Sequence, residues 1–189
     1  MTLDLFAEED LQQPSRLETI GEQGFVLRGF ALPWADSLVQ ALAGVLTQSP
    51  FRAMQTPGGF TMSARLSSCG ELGWTSDRNG YRYSPVDPLR NQPWPAMPAA
   101  FLALAEAAAG AAGFDHFVPD ACLINTYSPG ARMALHQDKN ERSFEAPIVS
   151  ISLGLPAVFQ FGGFERSDPT QRISLFHGDI VVWGGVDRL

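Results

Sequence analysis

The sequence predicts a mainly β chain with flanking helices, an α+β fold closing as a sandwich or jelly roll, and three observations predict it. From Asp120 onward, five short runs rich in β-branched and aromatic residues follow one another: 121–127, 148–155, 158–161, 173–176 and 180–183. Turn-forming clusters separate them, at Ser128-Pro-Gly130, Gly162-Gly163 and His177-Gly-Asp179. No helical pattern falls between these runs, which argues against a Rossmann-type parallel sheet.

The elements follow in chain order. Residues 24–30 read as a short strand. A helix opens at Asp36, because Leu38, Leu42, Val45 and Leu46 recur at helical spacing. Residues 51–95 are dense in Gly, Pro, Asn and Ser, with Trp74, Tyr81, Tyr83 and Trp94 interspersed, the composition of hairpins and loops that carry contacts. Pro98 starts a second helix over 99–112, with Phe101, Leu102 and Ala105 on one face and Gly113 as its stop. In 148–153, alternation puts Ile148 and Ser150 on one face and Val149 and Ile151 on the other, a strand with one side in the core and one lining a cavity. There are no repeats and no low-complexity linker, so residues 1–189 read as one domain.

Composition narrows the function classes. Apolar residues make up 45% of the 189 and charged residues 17%, ordinary values for a globular protein. No apolar run approaches the roughly 18 residues that span a bilayer, and the acidic start, Met1 to Asp10, is no signal peptide. Cys69 and Cys122 lie far apart in sequence and read as two partly buried thiols of a reducing cytoplasm. The net charge of -7 is unevenly spread. Residues 1–22 hold six acids against Arg16, whereas 51–90 hold Arg52, Arg65, Arg78, Arg82 and Arg90 against Glu71, Asp77 and Asp87. The one positive stretch is thus also the aromatic one, which permits a modest nucleic-acid contact.

His136-Gln137-Asp138 is the sharpest local signal for chemistry. A His and an Asp two apart on a strand share a face and can reach one cation. Imidazole with carboxylate suits Fe(II), and a facial set of two His and one carboxylate leaves positions open for substrate and O₂. The same spacing also arises among ordinary surface residues. Asn125 and Tyr127, also two apart, offer an amide and a phenol to an anionic co-substrate; the alternative is a strand end whose Tyr packs and whose Asn caps a turn.

Longer motifs carry a resemblance. Pro119-Asp-Ala-Cys-Leu-Ile-Asn-Thr-Tyr-Ser-Pro-Gly130, Leu135-His-Gln-Asp-Lys139 and Ala146-Pro-Ile-Val-Ser-Ile-Ser-Leu-Gly-Leu-Pro156 closely resemble the AlkB family of Fe(II)/2-oxoglutarate dioxygenases. So do Thr56-Pro-Gly-Gly-Phe-Thr-Met62, Cys69-Gly-Glu-Leu-Gly-Trp74, Tyr83-Ser-Pro85, Pro93-Trp-Pro-Ala-Met-Pro98, Phe159-Gln-Phe-Gly-Gly163 and His177-Gly-Asp-Ile-Val-Val-Trp-Gly-Gly185, in order along essentially the whole chain.

The resemblance implies a double-stranded β-helix (jelly roll) over about 119–189, preceded by an N-terminal extension, helices and a nucleotide-recognition lid over about 1–118. It implies that His136 and Asp138 ligate iron and that Asn125, Thr126 and Tyr127 line the 2-oxoglutarate pocket. On the same resemblance Trp74 is expected to stack on the damaged base, with the His136 ring over its other face, and Met62 to pack against that base. The resemblance further implies that Thr56, Tyr81, Arg82 and Tyr83 contact the nucleotide or its backbone, that Asn140 faces the base, and that Arg166 helps hold the strand. Aromatic faces suit a base drawn out of its stack, and they attract a cationic methylated one. The implied reaction uses Fe(II), 2-oxoglutarate and O₂. It oxidises the N-methyl carbon of a lesion such as 1-methyladenine or 3-methylcytosine, releasing succinate and CO₂, and the hemiaminal collapses to formaldehyde and the intact base. The implied partner is alkylated single- or double-stranded DNA, with RNA as the open alternative, met by a cytoplasmic monomer without a membrane partner.

Two departures from the family pattern stand out. Asn140 replaces an Asp that reads the base, leaving the choice between adenine and cytosine lesions open. Leu189 falls just before the family's segment with the distal iron His and two 2-oxoglutarate-binding Arg residues, so a fragment is expected, the last strands wanting. His177 is weighed as a substitute ligand and set aside as a turn residue; Glu141 reads as a solvated acid. A truncated, inactive nucleic-acid binder using Trp74, Tyr81 and Arg166, and a dioxygenase acting on a protein or small molecule, are the rival readings.

Overall fold

A computed structural model describes residues 16–138, 141, 143–165 and 167–188. In chain order these form β1 (Leu17–Thr19), β2 (Gly24–Leu27), α1 (Ala35–Gln48), β3 (Arg52–Gln55), β4 (Thr61–Gly70), β5 (Gly73–Asp77), β6 (Gly80–Ser84), β7 (Val86–Asp87), β8 (Gln92–Pro93), α2 (Ala99–Ala111), β9 (Ala121–Thr126), β10 (Ile148–Ile151), β11 (Ala157–Phe161), β12 (Gln171–Leu175) and β13 (Ile180–Trp183). Every strand pairing within the sheets is antiparallel.

A four-stranded sheet, ordered β1-β2-β13-β10, is the wall of the molecule. Its pleat sorts side chains by parity. Leu27, Ile180 and Val182, with Phe25, Val149 and Ile151, face the helices and join Leu38 of α1 and Leu104, Ala108 and Ala112 of the α2 region in one core. Val26 and Val181 point the other way, onto Ile173 and Leu175 of the β11-β12 hairpin, with Phe159, Phe161 and Trp183 around them. The alternation read for 148–151 is therefore the real one: Val149 and Ile151 pack on the helix-side core. In α2 the buried face is Leu104, Ala105, Ala108 and Ala109, so Leu102 belongs beside the stripe and not in it.

A second sheet, β3-β4-β9, faces the site. Its β4-β9 register sets Cys69 opposite Cys122 and Leu66 opposite Asn125. The two cysteines, distant in sequence, are cross-strand neighbours and free thiols; contact with Cys69, together with burial, pushes the Cys122 thiol up. Asp179, read only as a turn residue, anchors the β12-β13 turn: its carboxylate accepts from the Gly29 and Phe176 backbone N–H groups (2.8 and 3.0 Å) and from Arg28 (2.7 Å).

The structure departs from the expected elements in three places. A strand pairs ahead of the first one anticipated, at Leu17–Thr19. Predicted strand ends overrun: the 148–155 run pairs only to Ile151, because Ser152 and beyond turn around Gly154 (φ 95°). Residues 127–138 are not a strand. Among the described residues, no helix is long and apolar enough to cross a membrane.

Candidate functional site

His136 and Asp138 do meet, though not on a shared strand face. They sit on irregular backbone after β9, pinned from three sides. Ser63 Oγ of β4 donates to the Arg132 carbonyl at 2.8 Å. Gln137 Nε2 donates to the Phe164 carbonyl at 3.2 Å, and Arg188 Nη2 reaches the Asp138 carbonyl at 3.4 Å. The pair's proximity thus comes from tertiary ties, not from pleat.

His136 Nε2 lies 3.5 Å from Asp138 Oδ1, and His136 Nδ1 lies 2.8 Å from the Ala134 carbonyl. A carbonyl can only accept, so Nδ1 carries the hydrogen and the Nε2 lone pair faces the carboxylate side. Burial pushes the Asp138 carboxyl above its usual range, with Glu141 adding to the rise and His136 opposing it. A lone pair and a desolvated carboxylate at this spacing suit one cation, whose donors stand about 2 Å away. The donor set therefore fits Fe(II) with these two ligands. Among the described residues no group of three His, Cys, Asp or Glu completes a site. His177 is spent elsewhere, its Nδ1 accepting from the Gly154 N–H at 3.0 Å.

Asn125 lies near the end of β9 and Tyr127 is the first residue after it, at the start of this loop. The Asn125 Oδ1 is buried and has no partner among the described residues, an amide held ready at a polar site. The Tyr127 hydroxyl sits 3.9 Å from the Met133 sulfur, and burial raises its pKa. Thr126, one residue out of phase, pairs opposite Arg65, so the pleat turns it away from Asn125 and Tyr127.

The β5-β6 hairpin supplies the aromatic surface. Trp74 and Tyr81 stack at 5.6 Å with 19° between planes, leaving one Trp74 face free of Tyr81. Arg82 does not offer a free cation to a substrate: its fork closes on Asp77 at 3.0 and 2.7 Å, stapling the hairpin. Arg52 is likewise spent, on the buried Asp87 at 2.8 Å and over the Trp94 ring. Half-buried Met62 lies on β4, and Thr56 caps the β3-β4 turn, its Oγ1 accepting from the Phe60 N–H at 3.2 Å. Asn140 and Arg166 lie outside the described residues.

Tyr83 joins the hairpin to the loop that carries His136 and Asp138. Its hydroxyl donates to Glu141 Oε1 at 2.8 Å, and Glu141 Oε2 takes Arg188 Nη2 at 3.1 Å. Burial first, then the Glu141 hydrogen bond, raise the Tyr83 pKa. Glu141 is therefore a bridging group, not a solvated acid. Arg188 had no sequence signal, since its partner lies 47 residues away.

A jelly-roll fold with an imidazole-carboxylate pair on the loop after β9, and an aromatic hairpin tied to that loop, defines a class, and the comparisons agree. The 2OG-Fe(II) oxygenase superfamily model matches residues 25–189, and the chain belongs to that family. It is a dioxygenase of the AlkB type: it is 56% identical over 187 residues to the alpha-ketoglutarate-dependent dioxygenase AlkB of Escherichia coli (strain K12), covering 99% of this chain and 85% of the relative. The nucleic acid dioxygenase ALKBH1 of Homo sapiens is 33% identical over 86 residues, 46% of this chain and 22% of that one. The solved structure of OsALKBH1 superposes with a TM-score of 0.78 at 24% identity, covering 92% of this chain and 85% of that chain, a likeness of fold.

Proposed function

We propose that this protein oxidatively removes methyl groups from N-alkylated bases of the 1-methyladenine and 3-methylcytosine type in DNA. One observation carries the reading: the Tyr83–Glu141 hydrogen bond, 2.8 Å, places the hairpin bearing the Trp74–Tyr81 stack against the loop bearing His136 and Asp138. An oxidising centre and a base-stacking surface thereby share one site.

The residues divide the work by their chemistry. His136 and Asp138 would hold Fe(II), the imidazole through Nε2 and the aspartate through its carboxylate. Asn125 and Tyr127 supply an amide and a phenol to the 2-oxoglutarate carboxylate. When bound, iron and 2-oxoglutarate supply the activation of O₂ that oxidises the N-methyl carbon. Trp74 gives a flat, sequence-tolerant face to a base drawn out of its strand, worth about 1–3 kcal/mol per stacked base. The aromatic ring faces favour the positive charge of an N-methylated base. Met62, Thr56, Tyr81 and Tyr83 line the base and backbone path, and the family resemblance assigns Asn140 a role at the base and Arg166 one at the strand.

The test is mass analysis of a single-stranded oligonucleotide with one 1-methyladenine, incubated with the protein as its gene encodes it, Fe(II), 2-oxoglutarate and air. Loss of 14 mass units, the CH₂ lost when methyl gives way to hydrogen, is expected. An unchanged strand under conditions in which iron is bound would falsify the reading; conversion of the RNA counterpart alone would move the substrate to RNA.

A further inference from the structure

We propose that Arg188 is the positioning residue that sets the base-stacking hairpin against the metal-binding loop, acting through Glu141 and Tyr83. The inference rests on the functional reading above and adds a residue to it.

The arrangement leaves Arg188 few alternatives. Its side chain is only 1% exposed, at the residue that caps the helical turn Gly185–Asp187 after β13, an inner strand of the wall. A buried guanidinium must be paired, and here one nitrogen serves two groups: Glu141 Oε2 at 3.1 Å and the Asp138 carbonyl at 3.4 Å. The Phe144 ring lies 5.8 Å from the guanidinium carbon and holds its plane. Glu141 is in turn used at both oxygens, Oε1 accepting from Tyr83 at 2.8 Å, so it cannot rotate without breaking one bond or the other. Tyr83 stands directly opposite Trp74 in the β5-β6 register. The buried residue capping the turn after β13 thus dictates, through two hydrogen bonds and one cross-strand pair, where the Trp74 ring sits relative to His136 and Asp138. The same guanidinium steadies the irregular loop at Asp138 itself.

Such a role should appear as lost discrimination, not merely lost stability. Fluorescence anisotropy reads it without turnover, using protein loaded with Mn(II) and 2-oxoglutarate and labelled single strands with or without one 1-methyladenine. Arg188→Met should weaken binding of the methylated strand about tenfold, the worth of a charged hydrogen bond, while the unmodified strand changes less than about threefold. Tyr83→Phe should weaken binding of the methylated strand to a similar degree, and the double variant should lose no more of that affinity than either alone, as members of one bridge do. Arg188→Lys, which still reaches Glu141, should recover to within about threefold of the parent. Glu141→Ala, at a less buried position, decides the matter if Arg188→Met does not fold. Multiplying losses in the double variant, or a folded Arg188→Met or Glu141→Ala protein with the parent's preference for methylated DNA, would overturn the proposal. A parent protein without that preference would instead defeat the functional reading beneath it.

Discussion

At His136 the tautomer is set by the backbone: the Ala134 carbonyl, 2.8 Å from Nδ1, keeps the hydrogen there and frees Nε2. Asp138 completes the pair, and Asp138→Ala should lower turnover more than about 100-fold, beyond the 10- to 100-fold typical of groups that only support a ligand. Mn(II) titration followed by electron paramagnetic resonance should show the parallel loss of metal; unaltered metal affinity would remove Asp138 from the ligand set. Asp77 gives a second prediction at this scale. The Arg82 hydrogen bonds, followed by the Asn79 backbone, depress its pKa from 3.8 to about 2. A depressed carboxyl favours the folded state fully above the unfolded value, so this contribution persists above pH 3.8 and disappears as pH falls through about 2. A carbon-detected titration of the Asp77 carboxyl that returned an ordinary midpoint would show the Arg82 staple open in solution. The His136–Asp138 pair was legible in the sequence for an incomplete reason, since two-residue spacing suggested a strand that does not exist. Arg82 was misjudged because its partner sits five residues back across a tight turn, within reach only once the hairpin closes. Glu141 and Arg188 were illegible because charged residues read as solvated until tertiary structure buries one against the other.

Among the elements, the helices were the most readable. In α1 the stripe Leu38, Leu42, Val45 and Leu46 marks the core side, and Leu38 and Val45 are indeed buried. Strand ends were less so, because a sequence run can continue past the point where its partner strand pairs: nothing in Ser152-Leu-Gly154 says that β13 begins only opposite Ile151. The β5-β6 hairpin is the element on which function leans hardest, and its entry depends on a glycine. A Cβ on Gly73 would lie 2.2–2.5 Å from the Trp94 indole, whose Nε1 donates to the Ser84 carbonyl at 2.9 Å. Neither the ring nor the backbone can give way cheaply. Gly73→Ala should destabilise the protein by about 1–3 kcal/mol through overpacking and shift the neighbouring Trp74. Thermal unfolding by circular dichroism, with tryptophan fluorescence beside it, checks both; an unchanged midpoint and emission would show that Trp94 packs elsewhere.

For the whole molecule, the four-stranded wall separates two cores with different duties. The helix-side core holds the wall rigid, and the β11-β12 side backs the wall's other face. Leu104, fully buried in the helix-side core, measures the first duty. Leu104→Ala should cost about 2–5 kcal/mol, lowering the urea midpoint while leaving the slope and the methylated-strand affinity of the folded protein unchanged. A change in that affinity would mean the two layers are not independent. The fold class was legible because period-2 runs and turn clusters are local signals, whereas the pairing of β2 with β13 joins chain ends that no local pattern connects. The central claim is that an iron-binding pair and a base-stacking hairpin act on one substrate. Its most direct measurement is the ratio of restored adenine to succinate formed, in one reaction on 1-methyladenine DNA. A ratio near one is predicted for the parent, with Trp74→Ala lowering both products on DNA. Succinate formed without restored base would contradict the claim.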